Sequence, residues 1–140
     1  MTSQAFLIYA TDHIGGQLKA ASDGIPDEVQ DKKLCEGGMS PREILEHLCE
    51  VYQAVLTEAA GGKHDWGTFA VADKSWLHLN ATLWSMRGKA VAAVTAEETD
   101  ALAKIGCDYI ITHDAYHVGQ LALIRIQHES GWDPYSIYQE

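Results

Sequence analysis

The sequence is poor in cysteine and has no long apolar run. Its three cysteines, Cys35, Cys49 and Cys107, are an odd number, lie far apart and include no C-x-x-C pair. Neither a disulfide framework nor a thiolate zinc site is therefore expected, and a reducing compartment fits better. No apolar run approaches the roughly 18 residues that a membrane span requires, and no basic segment typical of a signal peptide precedes the first apolar stretch. These absences predict a cytoplasmic protein. Cys49 and Cys107 are expected to be buried as small apolar residues.

Positive charge is also scarce. Ten Lys and Arg stand against twenty Asp and Glu, which gives a formal net charge of -10 with neutral histidines. Nucleic acids and anionic lipids are bound by clustered positive charge, so the composition argues against both as partners. A chain of 140 residues usually forms one core, and one domain over residues 1–140 is expected.

Strand-like alternation is missing, and apolar residues recur instead at helical spacing. The expected fold class is all-α, a four-helix bundle with a long polar loop between the first and second helices. The helices are expected at 3–20, at 41–60, from Asp73 or Ser75 to about Val94, and at 107–129. The predicted buried side of the first helix consists of Phe6, Ala10, His13, Ile14 and Gln17.

Local signals mark two helix starts. Ser40, Pro41 and Glu43 form a capping box with proline at the first helical position, which predicts the start of the second helix. Thr95 with Glu98 predicts another capping box, opening a short helical turn that Gly106 interrupts. The last helix carries apolar residues over much of its circumference, including Tyr109, Tyr116 and Leu123 outside its main stripe. This excess predicts contact with a second subunit.

Seven histidines are many for a small acidic chain. His113 and His117 are four residues apart on the last helix, so both project from one face and can reach a common ion. His47 has the corresponding place on the second helix. Three neutral imidazoles suit a divalent ion such as zinc or nickel, and three protein ligands leave one coordination position open to water or substrate.

The other histidines have simpler readings. His13 is expected on the apolar face of the first helix, where it is either a fourth ligand or general base, or an ordinary core or dimer-facing residue. His64 and His78 are expected on the surface, and His128 near carbonyl groups that end the last helix. Gln120 is open between a hydrogen-bonding residue near the site and a partner across a dimer.

Two stretches together resemble the DinB-like superfamily. Residues 113–121 read HDAYHVGQL, similar to its H-x-x-x-H-x-G-Q-L signature, and residues 40–48 read SPREILEHL, similar to its capped second helix with the first histidine. The resemblance covers nearly the whole chain in order and spacing. It implies a four-helix bundle, usually dimeric, in which His47, His113 and His117 bind a divalent metal.

The resemblance leaves the reaction open. Relatives include thiol transferases, an isomerase that uses a low-molecular-weight thiol, and metal-dependent hydrolases. One hypothesis is thus a metal-dependent enzyme acting on a small molecule, either a hydrolase or a transferase with a small thiol as co-substrate. A hydrolase would need a general base near the metal, and the residues between His113 and His117 include no glutamate. The alternative is a non-catalytic dimer that binds a metal or small ligand, for example in a stress response.

Overall fold

A computed structural model of the chain describes residues 1–139, and its regular elements are helices. They are α1 (Ser3–Ser22), α2 (Pro41–Ala59), α3 (Trp76–Thr95), α4 (Asp100–Gly106) and α5 (Thr112–His128), with a π-helical turn at Cys107–Ile111 and a 3-10 turn at Pro134–Tyr138. The π turn joins α4 to α5 without a break, so the chain has four long helical segments: α1, α2, α3 and the continuous segment from α4 to α5. No strand occurs within residues 1–139, which confirms the all-α prediction. No helix in this range is long and apolar enough to cross a bilayer.

The start of α2 is as predicted. Ser40 Oγ accepts a hydrogen bond from the Glu43 amide at 3.2 Å, and the Ser40 amide donates to Glu43 Oε2 at 2.9 Å. Pro41 occupies the first helical position. Two otherwise unpaired amides of the first turn are thus satisfied, which fixes where the helix begins and hence which of its side chains face the core.

The predicted buried face of α1 is confirmed at Ile14, is half-buried at Ala10 and Gln17, and is wrong at Phe6 and His13. The helix buries Leu7, Thr11, Ile14, Gly15, Leu18, Ala21 and Ser22, whereas Phe6 is 55% exposed and His13 is exposed. The reason is a close approach at Gly15, where an added Cβ would lie 2.6 Å from Arg87 Nη1. The glycine face of α1 packs on α3, and this turns the aromatic face outward.

The predicted capping box at Thr95 and Glu98 is also wrong. Thr95 ends α3, and Thr99 caps α4 instead, its Oγ1 accepting from the Leu102 amide at 3.2 Å. The short helix α4 ends at Gly106 as predicted, but the φ of -62° and ψ of -41° at Gly106 are helical, and the chain continues directly into the π turn. A Cβ at Gly106 would lie 2.7 Å from Leu7 Cδ1, so this glycine lets α1 pack closely.

The three cysteines are free, and their environments differ. Cys49 is buried, as expected, but Cys107 is exposed at the π turn, which overturns its predicted burial, and Cys35 is exposed in the α1–α2 connection. Burial raises the pKa of the Cys49 thiol to about 12. Because the thiolate is the reactive form, Cys49 is expected to be inert while the fold is intact.

Thiol labelling with a colorimetric disulfide reagent at pH 8 should therefore detect two thiols in the native protein and three after unfolding. A Cys49→Ala variant should give two thiols under both conditions. Three rapidly reacting thiols in the native wild-type protein would contradict the burial of Cys49.

Candidate metal centre

The metal-ligand candidates lie on α2 and α5, and the π turn sets the rotation of α5. Gly106, Ile110 and Asp114 are all buried at successive steps of four residues. In a regular α-helix, two residues four positions apart point in directions that differ by about 40° around the helix axis. The wider π turn offsets this rotation and keeps the three residues on one face. Thr112 Oγ1 donates to the Cys107 and Asp108 carbonyls, each at 3.0 Å. The turn ends at Ile111, two residues before His113.

The three predicted ligands converge. His113 Nε2 lies 3.0 Å from His47 Nε2 and 3.0 Å from His117 Nε2. The ligand atoms of all three residues lie within 4.8 Å of one another, and this is the one such group of three or more His, Cys, Asp or Glu among residues 1–139. The group could hold a metal ion.

Hydrogen bonding alone does not satisfy this arrangement. An imidazole nitrogen has one bonding direction in the ring plane and carries either one proton or one lone pair. His113 Nε2 therefore cannot bond fully to both neighbours, although both are at hydrogen-bond distance. An ion among the three nitrogens would satisfy all of them. Nitrogens bound to tetrahedral zinc at roughly 2.0–2.1 Å are about 3.3 Å apart, so the two 3.0 Å separations fit with a small expansion.

Gln120 fixes the orientation of one ring. Its Oε1 accepts a hydrogen bond from His117 Nδ1 at 2.7 Å, so the proton of neutral His117 is on Nδ1 and the Nε2 lone pair faces the other imidazoles. Such partners of metal-binding histidines fix the tautomer and raise ligand basicity. Gln120 thus acts within the chain, next to the histidine cluster.

Burial favours the neutral form of each imidazole. It lowers the pKa of His47 and of His113, and it lowers that of His117 to about 4, where the neighbouring histidines add to the effect. His117 is 2% exposed, whereas the other two rings are half-buried. Neutral imidazole is the form that binds a metal, so near pH 7 no proton has to be displaced.

A buried polar network lies directly behind the cluster. Asp114 accepts from Tyr52 Oη at 2.7 Å and from Arg87 Nε at 2.9 Å, and Arg87 Nη2 donates to the Thr11 carbonyl at 2.7 Å. Burial raises the pKa of Asp114 to about 6, against the opposing effects of Arg87 and Tyr52. The network connects α5 to α1, α2 and α3, so Asp114 fixes the helix that carries two of the imidazoles.

The remaining histidines are placed as follows. His13 is exposed and stacks on Tyr9 with ring centroids 5.9 Å apart, so it lies outside the cluster and its expected place in the core is wrong. His78 is exposed, as expected, and His128 Nε2 lies 3.1 Å from the Lys33 carbonyl. His64 was expected on the surface but is only 9% exposed, because its ring is enclosed by Glu50 and Trp66.

Glu50 is the residue that the sequence reasoning did not single out. Its Oε1 lies 3.0 Å from His64 Nε2 and accepts from the Gly67 amide at 2.7 Å. Burial acts to raise the pKa of Glu50, but these hydrogen bonds outweigh it and the pKa is lowered. The sequence feature that marks Glu50 as a neighbour of the cluster is its position three residues after His47, which places both side chains on one face of α2.

Comparisons with known proteins give no match. No family model matches the sequence, and neither the curated proteins nor the solved structures yield a match.

The buried pair behind the cluster can be tested by removing one charge. Arg87→Met leaves the Asp114 carboxylate buried without its cation, and loss of one partner of a buried pair costs about 3–5 kcal/mol. Urea unfolding should show a loss of that order. Lys89→Met, which changes an exposed residue of the same helix, is the matched control and should change stability by less than about 0.5 kcal/mol. Equal stability of the two variants would contradict a structural role for the pair.

Proposed function

We propose that this chain is a DinB-like divalent-metal-binding protein that acts as a metal-dependent enzyme on a small molecule. The observation that carries the proposal is the convergence of three imidazole Nε2 atoms from His47, His113 and His117. Zinc or nickel is the expected ion, because neutral imidazoles suit borderline divalent metals. A purely structural zinc site normally has four protein ligands, and three favour a catalytic site with one position for substrate or water.

The DinB-like assignment is supported by how the motif residues interact. The H-x-x-x-H pair and the glutamine of H-x-x-x-H-x-G-Q-L are connected here by a hydrogen bond, since Gln120 accepts from His117. The third imidazole comes from the helix with the capping box. When bound, a divalent ion would supply Lewis acidity for the deprotonation of water, in a hydrolase, or of a small thiol co-substrate, in a thiol transferase. A cytoplasmic location is part of the proposal, since exposed free thiols such as Cys35 and Cys107 suit a reducing compartment.

Metal binding is tested on protein purified without a histidine tag. Calorimetric titration with zinc and with nickel should show one ion per chain. His113→Ala should weaken binding by more than about 100-fold, and Gln120→Ala by about 10- to 100-fold, as is typical of a residue that orients a ligand. His78→Ala, an exposed histidine outside the cluster, should bind as the wild type does. Equal affinity of the His113 and His78 variants would contradict the site.

Catalysis is then tested with the metal-loaded protein, using small thiols with electrophiles and a panel of esters, amides and lactones. Turnover that is lost in His113→Ala, with the helical circular dichroism spectrum intact, would support an enzyme. Metal binding without turnover on any panel would favour the non-catalytic alternative, a dimer that binds a metal or small ligand.

A homodimer is the second part of the proposal. On α5, Tyr116 is 62%, Leu123 55% and Ile126 53% exposed, and α1, which packs against α5, exposes Phe6 and Tyr9. Large apolar side chains exposed together on neighbouring helices are typical of an interaction surface. Contact with a second copy across α1 and α5 would bury them.

Sedimentation analysis should therefore give a dimer for the wild type at micromolar concentration. Leu123→Asp should give a monomer, because the interface would have to desolvate an unpaired carboxylate. Leu77→Asp is the control, since Leu77 is 77% exposed on α3, and should leave the dimer intact. A monomeric wild type would contradict the proposed interface.

A further inference from the structure

The loop between α2 and α3, residues 60–75, is attached to α2 one helical turn from the histidine cluster. Glu50 follows His47 by three residues, and side chains at this spacing are neighbours on a helix surface, with Cβ atoms about 5–6 Å apart. Glu50 Oε1 receives the Gly67 amide at 2.7 Å and lies 3.0 Å from His64 Nε2. The loop thus places an imidazole against the helix that carries the first metal-ligand candidate.

The same loop also contacts the other ligand-bearing segment. Trp66 meets His64 edge-to-face at 4.7 Å and stacks on Tyr109 with ring centroids 6.2 Å apart. Tyr109 lies in the π turn, four residues before His113, and its hydroxyl donates to Glu58 Oε1 at 3.3 Å. His64 therefore contacts α2 directly through Glu50 and reaches the π turn through Trp66. Glu50 and Tyr109 are each about one helical turn from a histidine of the cluster.

Anchoring the loop does not require a histidine at this position. The Gly67 amide already ties the loop to Glu50, and several side chains could fill the space beside Trp66. What the imidazole adds is a defined proton acceptor. A carboxylate only accepts hydrogen bonds, so His64 Nε2 carries the proton and Nδ1 has a free lone pair. The same carboxylate–imidazole pairing orients the general base in Ser-His-Asp hydrolases.

We propose that His64, oriented by Glu50, is the general base of this centre and that the reaction is a hydrolysis. The inference rests on the proposed metal-dependent enzyme and selects one of its two chemistries. His64 Nδ1 takes a proton from the attacking water while the water oxygen forms a bond to an acyl carbon. The bond from that carbon to the leaving group then breaks, and the imidazolium returns the proton to the leaving group. The substrate class is an ester, amide or lactone.

The position and tautomer of His64 can be measured without turnover. In nuclear magnetic resonance spectra of histidine rings in the full-length zinc-loaded protein, His64 should show the Nε2–H tautomer. Replacing zinc with paramagnetic cobalt should shift and broaden its ring signals far more than those of exposed His78. Glu50→Gln should weaken the tautomer preference while leaving zinc affinity within about threefold. A His64 ring that cobalt perturbs no more than His78 would overturn the proposal.

Turnover is tested with p-nitrophenyl acetate and the ester, amide and lactone panel. His64→Gln can still donate a side-chain amide hydrogen bond to Glu50 but cannot take a proton at Nδ1. It should keep zinc affinity and thermal stability and lose about 10²- to 10⁴-fold in kcat, the usual range for a general base. His78→Gln should hydrolyse as the wild type does.

The outcomes separate this inference from the function on which it rests. Wild-type hydrolysis that persists in His64→Gln overturns the role of His64 and leaves the metal enzyme standing. Thiol transfer without hydrolysis also overturns it. A wild-type protein that binds neither zinc nor cobalt overturns both. If His64→Gln unfolds, loss of hydrolysis in folded Glu50→Gln together with the cobalt shifts supports the inference, and retained hydrolysis in that variant refutes it.

Discussion

The geometry of the histidine cluster depends on the buried contact of Asp114 with Arg87 and Tyr52. Asp114 is fully buried and follows His113 directly, so its position sets the rotation of α5 about its axis. Arg87 also binds the Thr11 carbonyl, and one guanidinium therefore connects α5 with α1. Burying a charge is tolerated only when it is paired and hydrogen-bonded, and both conditions hold here. The network explains why two imidazoles of α5 face the third on α2 rather than solvent.

Features determined by neighbouring residues could be read from the sequence. The Ser40–Glu43 capping box is local, since both hydrogen bonds join residues three apart, and it was predicted correctly. The spacing of His113 and His117 likewise fixes their common face whatever the surroundings. The convergence with His47 was also expected, because a bundle brings the inward margins of its helices together. These predictions need only the geometry of a single helix and the general architecture of a helical bundle.

Features determined by tertiary contact could not be predicted in this way. Both faces of α1 have helical periodicity, and the choice between them follows from Gly15, whose missing side chain admits Arg87 from α3. The local sequence pattern of α1 gives no indication that Arg87 is its partner. The start of α4 at Thr99 rather than Thr95 has a different, local cause: α3 continues over alanines and valines to Thr95, so Thr95 is itself helical and does not act as an N-cap. The Gly-rich surroundings of His64 are typical of an exposed loop, and its carboxylate partner Glu50 lies fourteen residues earlier, outside that local pattern.

The position of His64 also distinguishes two tasks within one centre. The metal-ligand candidates are on helices that the core holds rigid, and a donor set for one ion needs that precision. The proposed base, His64, is on a loop, where a fold can vary its chemistry with little effect on the core. Glu50 joins the two, since it lies on the helix of His47 and binds the loop. Changes in the loop should then alter which water is deprotonated, while the cluster keeps its geometry.

The overall acidity of the chain attracts cations in general, but selectivity for one ion must come from the neutral imidazoles, which carry no net charge and bind through directed lone pairs.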